Sequence, residues 1–443
     1  MSDQVTRTKP KPVEVSAAAI LGLALPALGV LAATPLYLLL DTAVVGRLGT
    51  VALAALGAGT TLYSMVTTQL TFLSYGTTAR ASRKFGAGDT SGAIAEGVQA
   101  TWLALIVGSV LTCIMFLGAP SFTLWLAHDP DVAATATTWL RVTAFGIPLL
   151  LMVMAGNGWL RGIQNTRLPL IFTLAGIVPG AVLVPLLVHH FGVVGSAWAN
   201  LIGTTITASC FLGCLFRRHE GNIRPQPTVM VRQLVLGRDL ILRSLSFQVA
   251  FLSAASVAAR FGPDSLAAHQ VLLQLWNFLA LVLDSLAIAA QALTGAALGA
   301  GSVALARATG QKLLAYSTGF AAALALVFAI GHSWIPTLFT QADAVLSTIA
   351  GPWWQLILLI LLGGVVFALD GVLLGASDAA FLRTASIASV VFGFLPGVWL
   401  SLAFGGGLVG VWWGIVAFIS IRLVAGVWRF YSMRWAKIDT SET

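Results

Sequence analysis

RLGTVALAALGAGTTLYSMVTTQLTFLSYGTTARASRKFGAG, residues 47–88, lies over RFGPDSLAAHQVLLQLWNFLALVLDSLAIAAQALTGAALGAG, residues 260–301, without a gap at a shift of 213 positions. Arg47 meets Arg260, Gly49 meets Gly262, Leu53-Ala54-Ala55 meets Leu266-Ala267-Ala268, and Gly86-Ala87-Gly88 meets Gly299-Ala300-Gly301. The same shift pairs Asn157-Gly158 with Asp370-Gly371, Gly162 with Gly375, and Phe191-Gly192 with Phe404-Gly405. The chain reads as one ancestral unit used twice. Each half is then a control for the other: a residue that the fold requires should stand in both.

The solvent follows from composition. Hydrophobic residues make up 58% of the chain and charged ones 9%, and mean hydropathy is +0.91. Such a sequence is a poor soluble domain and a good membrane one. Its apolar runs of twenty or more residues suit helices rather than the short alternating strands of a barrel, and 45 glycines suit close helix packing. Read against charge and turn breaks, the runs give twelve spans, at 17–45, 51–76, 93–118, 132–156, 168–189, 194–216, 240–259, 266–294, 313–332, 350–374, 384–403 and 408–428.

Six spans per repeat give both halves the same orientation. The expected fold is therefore an all-α integral membrane protein whose two six-helix lobes are related by a pseudo-twofold along the membrane normal, with a cavity between them. Its organisation is a tail (1–16), a first lobe (17–216), a linker (217–239), a second lobe (240–428) and a closing tail (429–443). With the N-terminus cytoplasmic, inside segments hold nineteen Lys and Arg and outside loops only Arg47 and Arg260. The positive-inside bias thus places both termini in the cytoplasm. It also explains the net charge of +8 as a topology signal rather than a nucleic-acid footprint. The N-terminal apolar stretch is too long for a cleaved signal peptide and reads as the first span.

No P-loop, dinucleotide fingerprint, zinc spacing or hydrolytic triad is present, so neither an enzyme, a cofactor nor a metal is expected. Without a nucleotide-hydrolysing element, transport must draw on an ion gradient. Cys210 and Cys214 share a helix face without a nearby His or carboxylate, which reads as core packing. His189, His190 and His269 fall near span ends and read as solvated.

Ionisable residues at membrane depth are costly and point to function. Of the sixteen acidic residues, thirteen fall in tails, loops or span ends, leaving Asp41, Asp284 and Asp370. Asp41 shares a face of the first span with Thr34 and Tyr37, and Pro26 and Pro35 interrupt that helix. Its counterpart is Ala254, so a single half carries it, and a proton-titrating or cation-pairing role suits it. Asp284 and Asp370 answer to Thr71 and Asn157. With Arg243 entering from the same side, they read either as a structural ion-pair or hydrogen-bond network, or as a sodium site of hard oxygen ligands or a second proton relay.

Several strings carry a family resemblance. They are Leu25-Pro26-Ala27-Leu28, Pro35-Leu36-Tyr37, the run from Asp41 to Gly49, Phe85-Gly86-Ala87-Gly88-Asp89, the run from Leu160 to Pro169, and Ala267-Ala268-His269-Gln270. In order and at matching depth, the chain resembles the multidrug and toxic compound extrusion (MATE) family, in its DinF-like branch, over nearly its whole length.

The resemblance implies a V-shaped pair of lobes and export of small organic, cationic compounds in exchange for protons or sodium. It implies that Asp41 takes the coupling proton and that Pro26 lets its helix bend. It also implies a monomer in a bacterial cytoplasmic membrane. The fifth helix departs from the family pattern, because Gly176 to Pro185 is wholly apolar where an Asn and an Asp are common. Asp41 would then act with Tyr37, Asn157 and Asn200 rather than with a second carboxylate. A lipid-linked carrier flippase of the related superfamily is the rival reading; it would favour a strongly basic lumen, and the in-span arginines are Arg141, Arg243 and Arg422.

Overall fold

The structure, a computed structural model, describes residues 16–438. The described residues contain helices and turns and no strand. Twelve spans follow in order: 1 (Ala17–Leu48), 2 (Thr50–Gly86), 3 (Thr90–Ala127), 4 (Pro130–Ala144 with Gly146–Gly162, bent by 44°), 5 (Arg167–Phe191), 6 (Val193–Arg218), 7 (Pro227–Arg260), 8 (Pro263–Gly299), 9 (Val303–Ser333), 10 (Asp343–Gly375), 11 (Ala379–Ala403) and 12 (Gly407–Tyr431). An even number of crossings puts the two ends of the chain on one face, called proximal below; the opposite face is distal.

The packing repeats as the sequence does. In the first lobe span 2 packs on span 4, span 1 on span 5, span 5 on span 6 and span 3 on span 4; in the second, span 8 packs on span 10, span 7 on span 11, span 11 on span 12 and span 9 on span 10. Individual contacts repeat too. A Cβ on Gly158 would stand 2.8 Å from the Ser74 carbonyl oxygen, and one on Gly371 2.3 Å from that of Ala287, which is Ser74 moved on by the repeat. Only glycine lets these helix backbones approach so closely. The Gly-Ala-Gly strings are explained in the same way. Their second glycines, Gly88 and Gly301, turn the chain out of the helix with φ of +84° and +74°, a conformation that side chains resist.

The lobes meet at the proximal side. The distal half of span 2, Thr50–Thr67, packs on spans 1, 3, 4 and 6 of its own lobe, whereas the proximal half, Phe72–Gly86, packs on spans 3 and 4 of its own lobe and also across on spans 7, 8 and 10. Span 1 crosses to span 8 as well.

Several boundaries differ from the sequence reading. The third span is longer, Thr90–Ala127, because Asp89 caps its start by accepting from Gly92 N at 2.7 Å. The linker is shorter than 217–239: span 6 runs to Arg218, and span 7 starts at Pro227, whose fixed φ suits the first turn of a helix. What remains is strapped to span 3. Trp102 Nε1 donates to Ile223 O at 2.7 Å, Gln99 Nε2 to Arg224 O at 3.0 Å, and Gln226 N to Gln99 Oε1 at 2.6 Å. The closing tail begins later than 429, since span 12 reaches Tyr431. Residues 1–15 and 439–443 of the expected tails, with Arg7, Lys9 and Lys11, lie outside the described residues.

Candidate functional site

Span 1 is one continuous helix through Pro26 and Pro35, from Ala17 to Val45. Asp41 sits four residues before its distal end and is 2% exposed. One of its carboxyl oxygens, Oδ1, is buried with no donor in reach, and so is the Tyr37 hydroxyl one turn back. Thr34, on the same face, is exposed. The wholly apolar stretch of span 5 has a packing reason: Tyr37 lies over Gly180, where a Cβ would stand 3.5 Å from the ring. Small residues there make room for the phenol.

The polar neighbours of Asp41 come from residues that the sequence reading passed over. The Ser196 side chain of span 6 interacts with the carboxyl, and Trp139 Nε1 of span 4 donates to Ser196 Oγ at 2.8 Å. Trp139 in turn receives the edge of Tyr63 at 6.3 Å. The carboxyl is thus held at the end of a chain that reaches from span 1 through span 6 to span 4. Ser196 answers to Val409 in the second half, so the test that singled out Asp41 would have found it. Asn200 is half-buried and accepts from Thr204 of its own helix at 3.2 Å. Asn157 lies near the proximal end of span 4, away from Asp41, and its buried Oδ1 has no partner.

The second lobe holds a different arrangement. Asp370 Oδ2 of span 10 accepts from Arg243 Nη2 of span 7 at 2.5 Å and from Arg422 Nη2 of span 12. The Phe247 ring lies under both guanidiniums, 5.3 and 4.9 Å from its centroid. Asp284 Oδ2 of span 8 accepts from the Tyr75 hydroxyl of span 2 at 2.5 Å, across the lobes. Both second-lobe carboxylates are therefore engaged by donors. Among the described residues no three His, Cys, Asp or Glu side chains gather in a way that could hold a metal ion.

Other expectations change. His269 is fully buried rather than solvated, packed against Trp412 with ring centroids 6.0 Å apart. Span 8 begins at Pro263, which carries position 269 more than a turn into the helix. His189 and His190 are exposed, as read. Two further acids are buried in ion pairs. Glu96 takes Arg80 at 2.7 Å and Lys84 at 3.8 Å, and Asp239 takes Arg383 at 2.6 Å and Arg238 at 3.0 Å. Apart from Arg238, which adjoins Asp239 on its own helix, the basic partners come from neighbouring helices at the proximal face, where the sequence shows the charges but not the pairing. A recess of about 480 Å³ also opens there, between Ala19, Gly22 and Leu23 of span 1, the turn from Ile163 to Arg167, and Leu293 of span 8.

Comparison with known proteins agrees with this architecture. The MatE family model matches twice, over residues 26–186 and 240–399, once in each lobe. The chain is 31% identical to "Protein DETOXIFICATION 44, chloroplastic" of Arabidopsis thaliana, covering 96% of this chain and 85% of that one. It is 30% identical to "DNA damage-inducible protein F" of Escherichia coli K12, covering 92% and 91%. It is 29% identical to "Probable multidrug resistance protein NorM" of Bradyrhizobium diazoefficiens, covering 84% of both. Among solved structures, a MATE transporter in the bent conformation superposes with a TM-score of 0.87 at 22% identity, covering 96% and 97%. An outward-facing multidrug resistance MATE transporter gives 0.83 at 22%, covering 95% and 96%. The chain belongs to the MATE family of multidrug and toxic compound efflux transporters, membrane proteins that move small molecules and are not enzymes.

Proposed function

We propose that this chain is a secondary antiporter that exports organic, cationic drugs or toxic metabolites in exchange for protons, by alternating access, with Asp41 as the coupling carboxylate. One observation carries the reading: Asp41 is the acid among the described residues with a buried carboxyl oxygen that no donor reaches. Asp284 and Asp370 have donors, and Glu96 and Asp239 have basic partners. A carboxyl with one oxygen unpartnered and no basic neighbour paired to it is free to hold a proton in one state of the cycle and a cationic substrate in the other, and the two occupants exclude each other. Ser196 and Tyr37 would set its orientation, and Pro26 would let span 1 bend as the site changes sides.

The positive-inside count supports a chain with both termini in the cytoplasm, so the proximal face is the cytoplasmic one. Similarity to a relative from Escherichia coli supports a bacterial cytoplasmic membrane as its location, where the chain would act as a monomer. The test is efflux of a fluorescent organic cation in inverted vesicles with pH and sodium gradients imposed separately. Collapse of the pH gradient alone should stop transport by the parent, and Asp41→Asn should abolish it at unchanged protein level. Transport that follows sodium, or that survives Asp41→Asn, would remove the proton-coupled assignment.

A further inference from the structure

Gly86 and Gly299 hold equivalent places at the proximal ends of spans 2 and 8, and each faces the backbone of the opposite helix. A Cβ on Gly86 would stand 1.9 Å from the Ala296 carbonyl oxygen, and one on Gly299 would stand 1.9 Å from that of Arg83. Ala296 is Arg83 moved on by the repeat, so each contact is the image of the other, as contacts across a twofold are. Gly295 lies in the same crossing, where a Cβ would come within 2.0 Å of Ser82 Oγ.

Polar contacts run from lobe to lobe around it. Tyr75 donates to Asp284 at 2.5 Å, Gln291 Nε2 to Tyr75 O at 2.7 Å, and Arg83 Nη2 to Ala376 O at 2.6 Å. Arg161 of the first lobe also lies close enough to Asp284 for electrostatic interaction.

We propose that this glycine crossing is the gate of the proximal face and that the Tyr75–Asp284 pair is its latch. The inference rests on the alternating-access reading above and adds which contact must break. The two lobes share one apolar core cluster, and the glycine crossing and its polar contacts lie among the contacts between lobes on the proximal side, so they must part when one lobe moves against the other. Backbone against backbone is a steep contact: the helices reach this distance or they do not, and one methyl group decides it. The latch supplies a hydrogen bond that exists only while the lobes are together. Asp284 thereby acts as a gating residue.

The experiment places nitroxide labels at Ala87→Cys and Ala300→Cys, equivalent exposed positions just past the crossing. The background carries Cys113→Ser, Cys210→Ser and Cys214→Ser, and distances are measured by double electron–electron resonance in lipid nanodiscs without substrate. Gly86→Ala and Gly299→Ala should each raise the ratio of long to short distances by about tenfold or more, since overpacking of this kind exceeds the tenfold threshold of an equilibrium. Tyr75→Phe should shift it the same way by a smaller factor. Gly213→Ala, where a Cβ meets nothing within 4 Å, should leave it unchanged. Unaltered distances in both folded glycine variants would overturn the gate, and unaltered distances in Tyr75→Phe would overturn the latch. If the glycine variants do not fold, Tyr75→Phe decides by itself. No cargo is needed, so a parent without efflux would count against the transport reading alone.

Discussion

Asp370→Asn asks whether the second-lobe carboxylate serves the fold or a cation. Asp370, Arg243 and Arg422 are 11%, 15% and 7% exposed at the side chain, so water screens them weakly. Two guanidiniums and one carboxylate sum to a single positive charge; asparagine doubles it and leaves like charges facing each other. At about 4 Å and an effective dielectric near 20, each attraction is worth about 4 kcal/mol before desolvation. Removing one partner of a buried pair costs about 3–5 kcal/mol. The amide oxygen keeps one acceptor, which places the expected loss near 3 kcal/mol. Arg422→Met, by contrast, leaves Asp370 paired with Arg243 and restores neutrality, at about 1 kcal/mol. The double variant should be more stable than Asp370→Asn alone, a non-additivity expected of groups in one network. Unfolding midpoints in mixed micelles, followed by tryptophan fluorescence, measure all three. The reasoning is refuted if Asp370→Asn unfolds with the parent while efflux loses a dependence on sodium.

Glu96→Gln removes the shared counter-charge of Arg80 and Lys84, and the acceptor of Gln233 Nε2 at 3.1 Å. It should cost about 2–4 kcal/mol by the same unfolding measurement, because it unpins span 7 from spans 2 and 3. Gly88→Ala separates the two glycines of the Gly-Ala-Gly string. At a φ of +84° it should cost about 1 kcal/mol through backbone strain, yet leave the spin-label distances alone, unlike Gly86→Ala.

The duplication made the architecture legible before any coordinates. Twelve crossings, two like lobes and the pairs Gly49/Gly262, Gly86/Gly299 and Gly88/Gly301 all follow from one shift, because backbone proximity and positive φ are demands that only glycine meets. Boundaries were less legible where caps rather than hydropathy decide them, as at Asp89 and Pro227. The ion pair of Asp370 with Arg243 was legible, because both stand toward the same end of their spans. Nothing in the order of residues tells Asp370 that Arg422 will join it, or pairs Glu96 and Asp239 with their bases. His269 was misread because its helix starts earlier than hydropathy suggests.

The same shift separates scaffold from machinery. Contacts that recur, such as Gly158 on Ser74 and Gly371 on Ala287, serve a fold that needs them twice. The residues of the polar sites do not recur: Asp41 answers to Ala254, Ser196 to Val409, Tyr75 to Ile288, Asp284 to Thr71, Arg243 to Val30 and Arg422 to Ser209. A perfectly symmetric pair of lobes would carry the same charge in each and would give a cargo no reason to prefer one. Here the first lobe has in Asp41 a buried carboxyl without a basic partner, and in the second lobe arginines pair with Asp370 and Asp239. On the proton-exchange reading proposed above, a cation entering between them would meet attraction on one wall alone, and a proton on that wall would be enough to release it. The gate at the proximal end keeps its symmetry because closing, unlike binding, asks the same of both halves.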